Sequence, residues 1–539
     1  MELQNKQEDD RISLLPDHII HEFLSLLDTK AVARSCVLSK TWQRAWASFP
    51  RIDFNQYYFN ARECEHPKYS PTKNIEIRMK KDAFLSYIDN SLQSRLELEH
   101  VEKFTLIFSH HDKDLVLPRV IKWLTFAIER NVKVLTLNLG VRDFIIPQVL
   151  LEAKTISELR LTSAKLESNN KFKFSHLKKL GLNHVHLDEQ VIQNLTLTCP
   201  LIEDFQLHSC HGLKQLKLSN LSRIKLLDVC IGIEVSRIEI EAPSLQTFCY
   251  RWDMCGYPLE NNRYCDICLE GCKKLKTLNL ISHHEMPIEL LQNLSSKFPT
   301  LEALHISNCK MPTIKISCQT LKEFTLNSCH DLEVVEVNTP NLVSLCCKRN
   351  KLPFYSFNTP SLQKLELDFD LGFPTLFPPW FDKLKEFVGK FNNSEGLNMV
   401  IHSNRYVILQ DGLNENTLSS LIDFKELGAR IVISFMSISN LVEKLFFQCP
   451  VKILSIVSSS SKCLEVLNEK LINRHFKSMY MYPLHCIDEV KVIESLDEEA
   501  DYQNFKWITL LKSYETMDYH TTSFKLKWKS MFNSCGRKA

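Results

Sequence analysis

The chain has 539 residues, more than one hydrophobic core usually organises, so several domains or a repeat array are expected. Its content of 44% hydrophobic and 24% charged residues is that of a globular protein and argues against disorder. The 66 Lys and Arg residues nearly balance the 64 Asp and Glu residues, which argues against nucleic acid or an anionic membrane as the main partner.

The first residues, the longest apolar stretch and the cysteines predict the compartment in which the protein works. Residues 1–13 are polar and acidic and lack the basic and apolar regions of a secretory signal. Residues 431–442 are the longest apolar stretch, shorter than the roughly 20 residues of a membrane helix. The 19 cysteines are therefore expected to be reduced thiols, mostly buried. We expect an intracellular protein, in the nucleus, the cytoplasm or both, with no membrane partner.

Residues 11–49 predict three short helices. Pro16 suits a first helical turn, and Thr29 and Ser39 can cap the two helices that follow. Apolar side chains recur at helical spacing and include Ile19, Ile20, Phe23, Leu24, Leu27, Val32, Trp42, Trp46 and Phe49. So short a segment cannot bury all of this apolar surface within itself. Either the helices pack on the rest of the chain, or part of the surface docks on another protein.

Specific elements of this segment are residues 10–17 (DRISLLPD), Thr29-Lys30, residues 37–40 (VLSK), the two tryptophans and residues 52–54 (IDF). In these elements the segment resembles the F-box of plant F-box/leucine-rich-repeat proteins. In that family the F-box docks on a Skp-type adaptor, which links to a cullin and a RING subunit. The resemblance implies that the adaptor-binding residues are Leu14, Leu15, Pro16, Ile19, Ile20, Phe23, Leu24, Leu27, Val37, Leu38 and Trp42. Asp28 stands where the family commonly has proline, which is expected to loosen that turn and weaken adaptor binding.

From about residue 100 the spacing becomes Leu-x-x-Leu-x-Leu, which is typical of a leucine-rich repeat. The clearest copies begin at Leu301, Leu321, Leu342 and Leu362, at intervals of 20, 21 and 20 residues. Less even copies begin at Val132, Ile156, Leu177, Ile202, Ile224, Leu245 and Leu275. One unit cannot bury its apolar face alone, so the units are expected to stack. The small buried position after each strand is assigned to Cys210, Cys309, Cys329 and Asn350.

Flanking segments also resemble the family. Residues 83–88 (AFLSYI) predict a helix that caps the first repeat, and residues 487–492 (IDEVKV) resemble the final strand of an FBD-like region. The predicted parts are the F-box (9–54), a linker with capping helix and degenerate first repeat (55–115), the repeats (116–392) and a C-terminal region with degenerate or FBD-like units (393–539). The predicted fold is of the α/β class: a three-helix F-box followed by a curved leucine-rich-repeat solenoid with a parallel concave sheet.

Strand side chains alternate, so the residues between the apolar positions are expected to face the concave surface. The predicted target-binding residues on that surface are Arg160, Gln206, Asp228, Arg251, Asn279, His305, Thr325 and Glu366. The surface is polar and mixed in sign, which suits a protein target and lacks the aromatic, basic stripe of a nucleic-acid site. The alternative is that many of these residues are simply solvated.

Other chemistry finds little support in the sequence. Cys265, Cys268 and Cys272, with His283 and His284 downstream, only loosely match zinc-ligand spacing, so we predict buried thiols and no metal. No Gly-rich phosphate loop, nucleophile elbow or His-Glu-x-x-His pair occurs, so no catalytic site is predicted. An inositol phosphate would need a dense Lys/Arg cluster to bind its phosphates. Because the sequence indicates no such cluster on the repeats, we predict no cofactor.

The expected function is that of a non-catalytic subunit that recruits a target protein to a Skp–cullin–F-box ubiquitin ligase. The subunit would speed the transfer of ubiquitin by raising the effective concentration of the target and by orienting it. Two alternatives stay open, namely a repeat scaffold and a receptor for a small ligand, each acting without target ubiquitination.

Overall fold

The structure is a computed structural model that divides into two compact units, residues 1–275 and 276–539. It describes residues 15–27, 29–59, 71–109, 113–140, 144–232, 234–252, 265–282, 288–329, 331–348, 354–370 and the backbone of five later strands. Within that part, no helix combines the length and apolar character that crossing a membrane requires.

The first unit begins with the three predicted helices, which we call the three-helix module: α1 (Asp17–Ser25), α2 (Thr29–Ser35) and α3 (Lys40–Ser48). The carbonyl oxygen of Pro16 accepts from the N–H groups of Ile19 and Ile20 at 2.9 and 3.2 Å, and so closes the first turn. The hydroxyl of Ser39 accepts from the N–H of Trp42 at 3.3 Å, which confirms the predicted cap of the third helix.

The rest of the first unit is a series of short strands and helices. In chain order they are β1 (Arg51–Asn55), α4 (Gln56–Phe59), α5 (Pro71–Gln93), β2 (Lys103–Ile107), α6 (Lys113–Glu129), β3 (Val134–Asn138), β4 (Phe144–Ile145), α7 (Gln148–Leu151), β5 (Glu158–Thr162), β6 (Ala164–Lys165), β7 (Lys179–Asn183), α8 (Glu189–Thr198), β8 (Asp204–His208), β9 (Gln215–Leu218), β10 (Leu226–Ile231), β11 (Arg237–Ile240), β12 (Thr247–Trp252) and β13 (Asp266–Cys268).

Eight of these strands form one parallel sheet in the order β1-β2-β3-β5-β7-β8-β10-β12. Their second and fourth residues are buried, as in β5, where Leu159 and Leu161 point inward. The first, third and fifth residues are more exposed, except that Thr105, the third residue of β2, is also buried. This stacking confirms the predicted leucine-rich-repeat solenoid, because each strand buries its apolar pair against its neighbours.

Helices α5 and α6 cover the first strands, as the sequence predicts for a capping helix. Tyr87 of α5 meets Phe54 of β1 edge-on, with 5.9 Å between the ring centroids. The indole N–H of Trp123 in α6 donates to a carboxylate oxygen of Asp89 in α5 at 2.8 Å. The sheet nevertheless starts earlier than predicted, because residues 52–54, assigned to the F-box from sequence, lie in strand β1.

The second unit has the same architecture of stacked parallel strands. Its elements are β14 (Thr277–Ile281), α9 (Ile288–Leu291), α10 (Leu294–Lys297), β15 (Ala303–Ser307), β16 (Thr313–Ser317), β17 (Glu323–Asn327), β18 (Val334–Asn338), β19 (Ser344–Lys348), β20 (Phe354–Asn358), β21 (Lys364–Asp370), β22 (Leu397–Ser403), β23 (Gly428–Ile433), β24 (Ile453–Ser458), β25 (Ile487–Ile493) and β26 (His520–Trp528). Strands β14-β15-β17-β19-β21-β22-β23-β24 are parallel.

The C-terminal end of this sheet corrects one prediction. Strand β26 runs antiparallel between β24 and β25. The segment predicted to be the final strand is therefore β25, and β26 follows it in the chain.

Short strands also line the return segments of the repeats, a feature that the sequence reasoning missed. In the first unit β9, β11 and β13 form a three-stranded parallel ladder, and β4 pairs with β6. In the second unit β16, β18 and β20 form another ladder. These ladders pair the backbone groups on the side of each repeat that leaves the main sheet.

The turns after β8, β15 and β17 carry the small buried residues that were predicted there, Cys210, Cys309 and Cys329. Cys210 donates through its thiol to the carbonyl oxygen of Leu182 at 3.5 Å, and Cys329 to that of Ile306 at 3.9 Å. The residues just before them, Ser209 and Ser328, have positive φ angles of 50° and 53°. That backbone turn points the thiol back into the stack, while Asn350 lies outside the described residues.

Candidate functional site

The three-helix module has its own hydrophobic core, formed by Ile20, Leu24, Val32, Trp42, Ala45 and Phe49. All six side chains are buried, and Leu15 and Trp46 pack against them. Three residues predicted to bind an adaptor, Ile20, Leu24 and Trp42, thus point into the module and not to its surface. Their physical role is to hold the helices together, because a fully buried side chain offers no area to a partner.

A different set of large apolar side chains stays on the surface of this module. Val37 and Leu38, in the turn after α2, are 82% and 67% exposed, and Phe23 and Leu27, at the end of α1, are 48% and 44% exposed. Leu26, between Phe23 and Leu27, is 82% exposed. Five exposed large apolar residues within so short a segment are unusual for a surface with no partner. All of them except Leu26 belong to the predicted adaptor-binding set.

The other members of that set take intermediate positions. Leu15 and Ile19 are half-buried and Pro16 is exposed, so each can still contribute to a surface. Leu14 and Asp28 lie outside the described residues, and the predicted effect of Asp28 on adaptor binding stays a prediction.

One buried arginine ties the module to the residues after α5. Arg95 donates from Nη2 to the carbonyl oxygen of Trp46 at 3.2 Å, and its Cζ lies 4.0 Å from the centroid of the Trp46 ring. The guanidinium thus stacks on the aromatic face in a cation–π contact. Trp46 packs against the core of the module, and this contact shows that it is also held from outside the module.

The outward-facing residues at equivalent positions of successive strands form rows. We call the row formed by the third residue of each strand the central row. In the first unit the central row includes Arg160, Gln206 and Asp228, because Cα register aligns these positions on successive strands. In the second unit it includes Asn279, His305, Thr325 and Glu366. The predicted row is therefore confirmed as a structural feature, while target contact stays a prediction. The side chain of Glu366 lies outside the described residues.

Three polar side chains of the first unit meet on this face and form what we call the Asp228 cluster: His208, Asp228 and Arg251. Arg251 donates from Nη2 to Oδ2 of Asp228 at 2.5 Å. Nε2 of His208 lies 3.2 Å from the same carboxylate oxygen and 3.1 Å from Nη2 of Arg251. This imidazole nitrogen can accept from Arg251 or, when it carries a proton, donate to Asp228.

Electrostatics favour the charged forms of Asp228 and Arg251 in this cluster. Desolvation raises the pKa of Asp228, but the hydrogen bonds from His208 and Arg251 outweigh it, and the pKa lies below its ordinary value. Burial lowers the pKa of Arg251, but the bond to Asp228 outweighs it and the net shift is upward. Asp228 Oδ1 and Arg251 Nε are buried and have no hydrogen-bond partner in the part of the chain that the structure describes. The pair is a fixed polar feature on an otherwise varied face.

Other predicted target-binding residues have simpler surroundings. Nε of Arg160 donates to a carboxylate oxygen of Glu158 two residues earlier on β5, at 2.9 Å. The Gln206 amide donates to Asp204 in the same way on β8, at 3.1 Å. These pairs lie along single strands, whereas the Asp228 cluster joins three strands, so the structure distinguishes one site among residues that the sequence treats alike.

The cysteine cluster has the character of buried thiols. Burial raises the pKa of Cys265 to about 12 and that of Cys272 to about 11. Such thiols are protonated at neutral pH, while Cys268 between them is half-buried. Among the described residues, no group of three His, Cys, Asp or Glu side chains could hold a metal ion. His283 and His284 lie outside that part.

The stacked parallel strands and the three-helix module together define a leucine-rich-repeat protein with an N-terminal three-helix domain. The F-box domain family matches residues 12–53. The leucine-rich-repeat domain family described as At1g61320/AtMIF1 matches residues 97–265 and 264–373. These matches cover more than half of the chain, which belongs to the F-box/leucine-rich-repeat proteins of plants.

Three relatives from Arabidopsis thaliana illustrate the similarity. A protein named for its F-box, At1g49610, is 27% identical over 293 residues, which are 53% of this chain and 68% of that protein. A protein named for an F-box and leucine-rich repeats, At3g18150, is 28% identical over 252 residues, 46% of this chain and 48% of that protein. The F-box/FBD/LRR-repeat protein At1g13570 is 28% identical over 195 residues, 36% of this chain and 43% of that protein. The match thus spans about half of the length of the second and third.

Among solved structures, the leucine-rich-repeat domain of APL1B aligns with a TM-score of 0.26 and 12% sequence identity. The alignment covers 72% of this chain and 92% of that domain.

Proposed function

We propose that this chain recruits a target protein to a ubiquitin ligase of the Skp–cullin–F-box type. The three-helix module would dock on a Skp-type adaptor, and through it on a cullin and a RING subunit. The outward strand residues would hold the target. The observation that carries the proposal is the exposure of Phe23, Leu27, Val37 and Leu38 on a module whose core is already complete without them.

The proposed mechanism is positional and gives the chain no catalytic step of its own. The chain would hold a lysine of the target near a conjugating enzyme that carries ubiquitin. This replaces a bimolecular encounter with an effectively intramolecular one. A mixed polar face with a fixed element such as the Asp228 cluster suits recognition of a protein surface, since charge complementarity selects partners more than it adds affinity. An intracellular location, in the nucleus or the cytoplasm, is part of the proposal.

Co-precipitation of the full chain with a Skp-type adaptor tests the docking surface. In the variant Val37→Glu/Leu38→Glu, two exposed apolar side chains become charged, and we expect adaptor binding to fall at least about tenfold because a carboxylate must be desolvated at the interface. The melting temperature should not change, since neither side chain is in the core. Leu197→Glu is the matched control, because Leu197 is 65% exposed on α8, outside the module. It should bind the adaptor as the unaltered chain does.

A second variant separates docking from folding. Ile20→Ala removes a fully buried side chain from the module core, and a loss of about 2–5 kcal/mol in stability is expected. It should lose adaptor binding together with helix content, whereas Val37→Glu/Leu38→Glu should lose binding alone. A folded chain that fails to bind any Skp-type adaptor would contradict the ligase role and leave a repeat scaffold.

A further inference from the structure

A cysteine lies beside the Asp228 cluster on the outward face of the first unit. The parallel pairing aligns Cys230 of β10 with His208 of β8 on one side and with Arg251 of β12 on the other. Aligned residues of neighbouring strands are about 4.8 Å apart and point to the same face. Because Val229 is buried, Cys230 next to it points outward, and Cys230 is half-buried. Its thiol therefore lies between an imidazole and a guanidinium.

Electrostatic contact with Arg251 distinguishes this thiol from those in the repeat core. Burial lowers the pKa of Arg251, whereas the carboxylate of Asp228 raises it. The sulfur atoms of Cys230 and Cys249 raise it further. The attraction is mutual, so the guanidinium favours the thiolate, which is the nucleophilic form of cysteine. By contrast, burial raises the pKa of the Cys210 thiol to about 12.

The two outward thiols near Arg251 differ in their other neighbours. Cys249 aligns with Asp228 on β10, and a neighbouring carboxylate disfavours a thiolate. The residues that precede Cys230 in its row carry no acid, and they are Thr162 of β5, Asn183 of β7 and His208 of β8. Cys230 is therefore the thiol of the two that an anionic reagent can approach most easily.

Arg251 can hold a second anion while it stays paired with Asp228. Its Nη2 donates to Oδ2 of Asp228, and the arginine side chain is 41% exposed. A guanidinium carries five N–H donors, so its exposed donors can still bind a carboxylate of a small molecule. His208, whose Nε2 lies 3.1 Å from Nη2 of Arg251, adds a positive charge to this surface when it is protonated.

We propose that Cys230 is a modification site that forms a mixed disulfide with a small disulfide bearing carboxylates, the chemistry of oxidised glutathione. The thiol of Cys230 gives its proton to solvent, and its sulfur attacks one sulfur of the small disulfide. A new S–S bond forms as the old one breaks, so that Cys230 is oxidised. The released small thiolate takes up a proton. On the proposed function of the chain, on which this last step rests, the attached group covers the Asp228 cluster and weakens target binding.

The test incubates the full chain with oxidised glutathione and maps the adducts by mass spectrometry of its peptides. Bis(2-hydroxyethyl) disulfide is the neutral reagent for comparison, and half-buried Cys346 of the second unit is the internal reference. We expect oxidised glutathione to react first at Cys230. Its preference for Cys230 over Cys346 should exceed that of the neutral disulfide at least about fivefold, the effect of one unit charge at about 4 Å in water.

Variants connect this preference to particular side chains. Cys230→Ser should remove the adduct, whereas Cys249→Ser, the matched control from the same face, should keep it at Cys230. Arg251→Gln should abolish the preference for the anionic reagent, and Arg251→Lys, which keeps the charge, should retain most of it. A merely structural role of Arg251 would change the reactions with both reagents alike.

Melting temperatures show which variants are folded, and the comparison of the two reagents in the unaltered chain needs no variant. The proposal is overturned if oxidised glutathione modifies Cys249 or Cys346 as fast as Cys230, or if no adduct forms at Cys230. It is also overturned if folded Arg251→Gln keeps the full preference. None of these measurements involves an adaptor or a target, so their failure is distinct from a failure of the ligase role.

Discussion

Arg251 and Asp228 lie 23 residues apart in the chain, yet Nη2 of the arginine is 2.5 Å from Oδ2 of the aspartate. The parallel pairing of β10 with β12 aligns Asp228 with Cys249 and Cys230 with Arg251, so Arg251 stands one outward position further along the neighbouring strand. Its long side chain reaches diagonally across to Asp228. Residues that are one repeat unit apart in the chain thus lie on neighbouring strands, which are about 4.8 Å apart.

The Asp228 pair gives a pH-dependent contribution to stability. Asp228→Asn should lower the stability by about 1 kcal/mol at pH 7, a modest amount because Arg251 is 41% exposed and solvent screens the pair. The pKa of Asp228 is lowered in the folded chain. The contribution is therefore present above the unfolded pKa of about 4 and is lost as the pH falls through the folded pKa.

Thermal melts of both chains from pH 3 to pH 7 check this expectation. The difference in melting temperature should be constant between pH 5 and pH 7 and should shrink below about pH 4. Asp204→Asn is the control, because Asp204 accepts a hydrogen bond from neutral Gln206 on its own strand. A difference for Asp228→Asn that persists unchanged at pH 3 would contradict the ionic origin of the effect.

Two glycines with positive φ allow the cost of backbone strain to be measured separately from the cost of a steric clash. Gly212 has φ +94°, and an added Cβ would meet the carbonyl oxygen of Leu187 at 2.7 Å. Gly271 has φ +88°, and an added Cβ would meet nothing within 4 Å. We expect Gly271→Ala to cost about 1 kcal/mol from backbone strain alone, and Gly212→Ala to cost at least about 2 kcal/mol.

Equilibrium denaturation of the two variants side by side measures that difference. Both variants lose stability through backbone strain. The additional loss in Gly212→Ala therefore measures the close approach of the two repeats at Leu187. Equal costs would show that the neighbouring turn gives way without resistance.

Buried thiols of the repeats should resist alkylation. Burial raises the pKa of Cys199 to about 11 and that of Cys210 to about 12. At pH 7.5 their thiolate fraction is below about one in a thousand, and the thiolate is the reactive form. Iodoacetamide should therefore leave both unmodified in the native chain and label both in guanidinium chloride.

Peptide mapping by mass spectrometry reads out the labelling, with half-buried Cys36, Cys249 and Cys346 as internal references that should react first. Native labelling of Cys210 at the rate of these references would mean that the turn after β8 opens readily.

The helices, the repeats and the central row could be predicted because each depends on local spacing. Leu304 and Ile306 alternate with polar residues, and Phe324 and Leu326 do the same one repeat later, which favours a recurring strand with one buried face. The return ladders were missed, although alternations such as Ile314-x-Ile316 carried a weak signal. Short alternating runs of this kind do not distinguish a second strand from a loop or a helix.

The sequence by itself determined that apolar residues such as Ile20 and Val37 occur together in a short helical segment and that a repeated strand follows. Only the tertiary structure decided which of them are buried, because the crossing of three helices encloses Ile20 and leaves Val37 in solvent. It also decided that Arg95 stacks on Trp46, 49 residues away, and that Asp228 meets Arg251. Periodicity fixes the face on which a side chain lies, but its neighbours across that face depend on packing between segments that are distant in the chain.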